Sequence, residues 1–150
     1  MTPGADIVVE RYVAAPPEKV FAYFTDADKW MAWQGTEAEI DLSPGGVWRV
    51  NVTGDGFASG HIVEVVENQR VVFTWGWEEG PPVEPDSTTV EIDLLPDRNG
   101  TLIRLTHRGL PDEQVDIHRY GWEHYASRLA AVVANRPPGS KVPGVQANDR

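Results

Sequence analysis

Four histidines are the side chains best suited to moving a proton near neutral pH: His61, His107, His118 and His124. Their spacing limits what they can do. A metal site needs several ligands at fixed separations, and no His-x-x-x-His or His-Glu-x-x-His pattern occurs. His118 and His124 are six apart on a helical stretch, which puts them on different faces. Cysteine is absent, so thiolate ligands, cysteine nucleophiles and disulfides are all excluded. No metal and no cofactor is expected. Two roles stay open for His107 and His118: general acid–base work on a bound carbonyl or phenol, or the satisfaction of local hydrogen bonds. Gly45-Gly46 opens no helix in a Gly-x-Gly-x-x-Gly or Walker pattern, so it reads as a tight turn and not a phosphate loop. Arg11, Arg49, Arg104 and Arg108 read as solvated strand faces, with Arg11 able to reach into one end of a sheet.

The aromatic content carries a second signal. Six Trp accompany four Tyr and four Phe in 150 residues. An indole is large and its N–H wants a partner. So many in one small domain read as core, as the wall of a large cavity, or as an interface. The formal charge of −10 argues against nucleic acid or an anionic membrane surface as the main partner. Apolar runs are too short for membrane insertion, and no charged-then-apolar leader is evident. The expectation is a cytoplasmic, single-domain protein.

The segments that must position these residues follow from periodicity. Asp6–Ala14 reads as a strand, Pro16-Pro17 stops it, and Glu18–Thr25 reads as a helix with Val20, Phe21 and Phe24 on one face. Asp26 and Asp28 can cap a second short turn carrying Trp30 and Trp33. A period of two then marks Glu37–Leu42, Val47–Val52, Gly60–Val66, Arg70–Trp77, Thr88–Leu94 and Thr101–Arg108. Short turns such as Ser43–Gly46, Gly54–Gly56, Glu67-Asn68 and Asp97–Gly100 make neighbouring strands antiparallel. Glu78–Ser87 is acidic and Pro-rich and reads as an exposed loop. From Asp112 the period returns to 3.6 through Val115, His118, Gly121, Trp122, Tyr125, Leu129 and Val132, fading at Arg136. Residues 1–136 are expected to form one domain and 137–150 a disordered tail.

A sheet of about seven strands cannot bury its face alone, and the long C-terminal helix is the only sizeable cover. A sheet that curls further than the helix can follow leaves a gap, the natural place for a ligand. Alternation turns Trp48, Phe73, Trp75, Trp77 and His107 toward that gap. Glu64, taken as outward, turns His61, Val63 and Val65 inward. The helix adds His118, Trp122 and Tyr125, and Trp30 and Trp33 are expected near the entrance. Gly121 is expected to let the helix approach the sheet closely, at roughly 1 kcal/mol of helix propensity.

A series of motifs then resembles a known family. It runs Ala14-Ala15-Pro16-Pro17-Glu18-Lys19-Val20-Phe21, Asp28-Lys29-Trp30-Met31-Ala32-Trp33, Ser43-Pro44-Gly45-Gly46-Val47-Trp48 and Gly60-His61-Ile62-Val63-Glu64-Val65. Arg70-Val71-Val72-Phe73-Thr74-Trp75, Thr106-His107-Arg108-Gly109-Leu110 and Gly121-Trp122 complete it. In this order they resemble the homologue-1-like proteins of the activator of the 90-kDa heat-shock-protein ATPase, within the lipid-transfer/polyketide-cyclase (START, SRPBCC) superfamily. The resemblance implies an α+β helix-grip fold and a hydrophobic cavity between sheet and helix. It leaves activity open, since the superfamily spans carriers, receptors and cyclases. The additional N-terminal domain of the co-chaperone members has no counterpart here, which weighs against direct chaperone activation. The leading expectation is binding of a hydrophobic or aromatic small molecule. The alternatives are a cyclase- or dehydratase-like enzyme using His107 and His118, and a protein-interaction or co-chaperone-like module, homodimeric in its simplest form, with Trp30 and Trp33 exposed.

Overall fold

A computed structural model describes residues 6–139. Its elements run β1 (Ile7–Val13), α1 (Pro17–Thr25), α2 (Ala27–Met31), β2 (Glu37–Ile40) and β3 (Val47–Asn51). They continue β4 (Phe57–Val66), β5 (Arg70–Trp75), β6 (Thr88–Asp97), β7 (Gly100–Arg108) and α3 (Asp112–Val133). The seven strands form one antiparallel sheet in the order β1-β7-β6-β5-β4-β3-β2. Strands β2 to β7 are neighbours in sequence and in space; short turns join them except between β5 and β6, which the longer segment 76–87 connects. Asn68 and Arg98 take positive φ at two of those tips, as Gly45 and Gly54 do at others. The pair α1–α2 carries the chain from one sheet edge to the other. A proline starts α1, and the Asp26 carboxylate caps α2 by accepting from the Asp28 and Lys29 backbone N–H groups.

The inner face is made as the alternation requires. Trp48 and Val50 of β3, Phe73 and Trp75 of β5, Val90 and Ile92 of β6, and Leu105 and His107 of β7 are all buried. On the outer face, strand register aligns a row of charge: Glu10 pairs with Arg104, Arg104 with Asp93, and Asp93 with Arg70. Ion pairs join Arg104 to Glu10, and Arg70 to Asp93 and Glu64. No helix among the described residues is long and apolar enough to cross a membrane.

Three local expectations are corrected. In β4 the register shifts between Ile62 and Glu64. That bulge leaves both Val63 and Glu64 outward, so alternation counted back from Glu64 arrives at the wrong face. Ile62 is buried, Val63 is 54% exposed, and His61 points outward. The strand also begins earlier, at Phe57. It passes Gly60 where a Cβ would lie 1.9 Å from the Thr74 carbonyl oxygen, so only glycine fits. Second, β5 ends at Trp75, and Trp77 joins the sheet only through an isolated bridge to Ala58. Third, the Glu78–Ser87 loop is exposed as expected except at Val83, which is fully buried and accepts at its carbonyl from the Trp77 N–H. The disordered tail expected over 137–150 lies, from residue 140 onward, outside the described residues.

Candidate ligand pocket between the sheet and the long helix

Helical spacing places Gln114, His118, Gly121, Trp122 and Tyr125 along one stripe of α3, facing the sheet. Beneath the stripe lies a cavity of about 290 Å³, at the small end of the roughly 300–1,000 Å³ usual for small-molecule sites. The opposite wall is Val52 and Thr53 after β3, with Trp75 and Trp77 at the end of β5. Gln34, from the chain after α2, completes the lining, and Ile117, 64% exposed, stands at the mouth.

Two imidazoles meet here, His118 in the pocket lining and His107 behind it, and indoles hold both. Trp122 donates from Nε1 to His107 Nδ1 at 2.9 Å. An indole nitrogen can only donate, so His107 Nδ1 is bare and Nε2 carries the proton. That Nε2 donates to Thr88 Oγ1 at 2.8 Å, and the Thr88 hydroxyl passes its own hydrogen to the Trp75 carbonyl. His118 is the reverse tautomer: Trp77 Nε1 donates to its Nε2 at 3.0 Å, and its Nδ1 donates to the Gln114 carbonyl at 2.8 Å. All four ring nitrogens are therefore committed.

Electrostatics agrees with the geometry. Burial, aided by the neighbouring His118, pushes the His107 pKa down to about 3. Burial also lowers His118, against a smaller opposing effect of its bond to the Gln114 carbonyl. Tyr125 is pushed up to about 12 by burial. Its hydroxyl reaches the Val52 carbonyl only at 3.5 Å, a loose bond that leaves it able to serve a guest. Gln34 Oε1 accepts from Trp30 Nε1 at 2.9 Å, a bond that fixes the amide's orientation and leaves its N–H₂ as donors.

All six tryptophans form one connected series. Ring centroids step from Trp33 to Trp30 (4.7 Å), Trp48 (5.4 Å) and Trp75 (5.3 Å), and from Trp75 to both Trp77 (5.4 Å) and Trp122 (5.1 Å). Phe73 stacks on Trp48 at 4.3 Å. The Nε1 groups of Trp48 and Trp75 are buried within this series without an acceptor.

The structure thus sorts the expected site residues. Trp75, Trp77, His118, Trp122 and Tyr125 come together at the pocket. His107 lies one layer behind, 1% exposed. Trp48 and Phe73 are core. Trp30 and Trp33, expected at an exposed entrance, are 0% and 1% exposed, which removes them as an interaction surface. Their N–H groups are consumed internally by Gln34 Oε1 and the Tyr23 carbonyl. His61 is on the outer face, where it pairs with Asp86. Arg11 bridges β1 to α3 through the Glu123 carbonyl and Ser127 Oγ. Among the described residues no cluster of His, Asp and Glu is arranged to hold a metal. Gln34 and the buried Arg128 were not singled out from the sequence. Gln34 had a legible signal, standing four residues after Trp30 on a helical turn; Arg128 had none.

A curved antiparallel sheet gripping one long helix, with a pocket between them, defines a helix-grip protein. The profile described as "Activator of Hsp90 ATPase homolog 1-like protein" matches residues 14–134, and the chain belongs to that family. It is 25% identical over 124 residues to the human activator of 90 kDa heat shock protein ATPase homolog 1, covering 82% of this chain and 35% of that protein. The chain therefore spans about a third of the length of the curated relatives it matches. The solution structure of an AHSA1-like protein from Rhizobium etli is 47% identical, with a TM-score of 0.70, covering 93% of this chain and 91% of that one. DynU16, a protein of the dynemicin biosynthetic locus, shares the fold at 22% identity with a TM-score of 0.78, covering 93% of this chain and 51% of that one.

Proposed function

We propose that this protein binds a hydrophobic, aromatic small molecule in the pocket under α3. The observation that carries the reading is open space bounded by Trp75, Trp77, Trp122 and Tyr125, at the end of an aromatic series that elsewhere packs ring on ring. Tyr125 and Gln34 supply the polar contacts. Binding is favoured over turnover because a proton-transfer step needs an imidazole nitrogen free to exchange, and His107 and His118 have none. Intrinsic tryptophan fluorescence titrated with fatty acids, flavonoids and aromatic polyketides tests this, since three indoles border the pocket. A saturable change with an aromatic class is expected. No change with any class, and nothing co-purifying in native mass spectrometry, would overturn it.

A second reading, activation of a 90-kDa heat-shock ATPase, is favoured by the family match over residues 14–134. Stimulated ATP turnover of purified Hsp90 in the presence of this chain supports it. Unchanged turnover at saturating chain concentration removes it.

A further inference from the structure

Gly121 sits inside the 22-residue helix α3, where glycine weakens a helix relative to alanine. The fold supplies no reason for it. Its φ is not positive, and a Cβ built there meets no atom within 4 Å, which overturns the expected close approach to the sheet. The residues one turn to either side, Ile117, His118 and Tyr125, all line the pocket, so Gly121 is a gap in the helical wall.

The lining has a second property. The chain has 23 acidic and 13 basic side chains, yet none of them lines this pocket. The one imidazole in the lining, His118, accepts from Trp77 at Nε2, where an added proton would face another donor. A charged guest would lose its water and find no counter-charge.

We propose that the gap at Gly121 seats the face of a flat, uncharged fused-ring ligand, and that this position sets the largest ring system the pocket admits. This rests on the binding reading above and narrows it, since fatty-acid anions fall outside the class.

Two dyes of one skeleton test it: neutral N-phenyl-1-naphthylamine, and 1-anilinonaphthalene-8-sulfonate, which adds one negative charge. The wild-type protein is expected to enhance the emission of the neutral dye and to bind the sulfonate roughly tenfold more weakly or worse. Gly121→Leu should weaken the neutral dye roughly tenfold or more. Gly121→Ala should raise the unfolding midpoint by about 2–4 °C, a readout that needs no ligand. Equal affinity of wild type and Gly121→Leu for the neutral dye overturns the proposal, as does sulfonate binding as tight as the neutral dye or a lowered midpoint in Gly121→Ala. If the dyes are silent but another aromatic class changes the tryptophan emission, the binding reading survives and the seat at Gly121 does not. Silence from every class overturns both.

Discussion

His107 and His118 occupy opposite tautomers because indoles from opposite walls, Trp122 and Trp77, each demand a bare nitrogen. Nitrogen-15 shifts at neutral pH should therefore show His107 protonated on Nε2 and His118 on Nδ1; a mixture of tautomers at either ring would contradict the bonding described. Burial of the two rings sets a pH dependence. The folded-state pKa of His107, about 3, lies below the ordinary 6.5, so below pH 6.5 the unfolded chain takes up the proton more readily than the native one. The stability is fully present above that pH and is lost as pH falls toward 3, by roughly 1.4 kcal/mol per pH unit for this ring alone. His118 adds loss of the same sign. Urea unfolding midpoints across this range measure it, and a midpoint flat from pH 7 to 4 would refute it. His107→Ala should cost about 2–4 kcal/mol, since it leaves a cavity and strips Trp122 Nε1 of its acceptor.

The elements show how far periodicity reaches and where it stops. Strands β3, β5, β6 and β7 presented the faces that alternation assigns, although Val72 and Thr106 on the opposite face are buried as well. Strand β4 did not, because its bulge inserts a residue that no composition signal marks. The segment around the short helix α2 misled in another way: Trp30 on its five residues and Trp33 just beyond them resemble an exposed anchor. Its indole hydrogens have internal acceptors, which become visible only once Gln34 and the Tyr23 carbonyl are placed. Arg128 fixes this helix from below. Its guanidinium donates to the Trp33 carbonyl at 2.9 Å and to the Ala32 carbonyl at 3.3 Å, and also bonds the Gly139 carbonyl. The positive group thus lies at the negative end of α2. Arg128→Leu should destabilise the protein by about 2 kcal/mol or more by orphaning buried carbonyls. Lysine should fail to restore it, because one ammonium cannot reproduce the fork. Denaturant titration of the three proteins decides; a fully stable leucine variant would mean the carbonyls find other donors.

At the scale of the molecule, the architecture was legible because few arrangements let a seven-stranded antiparallel sheet bury one face under one long helix. The pocket was less so. Its existence could be argued from sheet curvature, but Gln34 and Thr53 in its lining come from segments to which periodicity assigns no element. A guest in that pocket touches both the sheet and α3, so it should stabilise the whole cooperative unit. At a ligand concentration a hundredfold above Kd the gain is about 2.7 kcal/mol, which moves a single thermal transition up by roughly 5–10 °C. A split transition, with α3 melting separately, would show that the helix and sheet are not one unit.

The linked indoles have an optical consequence. With neighbouring ring centres 4.7–5.4 Å apart from Trp33 to Trp122, a photon absorbed deep in the interior is free to hop from chromophore to chromophore. One guest resting against Trp122 would therefore darken the emission of tryptophans it never touches, and would distort the near-ultraviolet circular dichroism of the entire set.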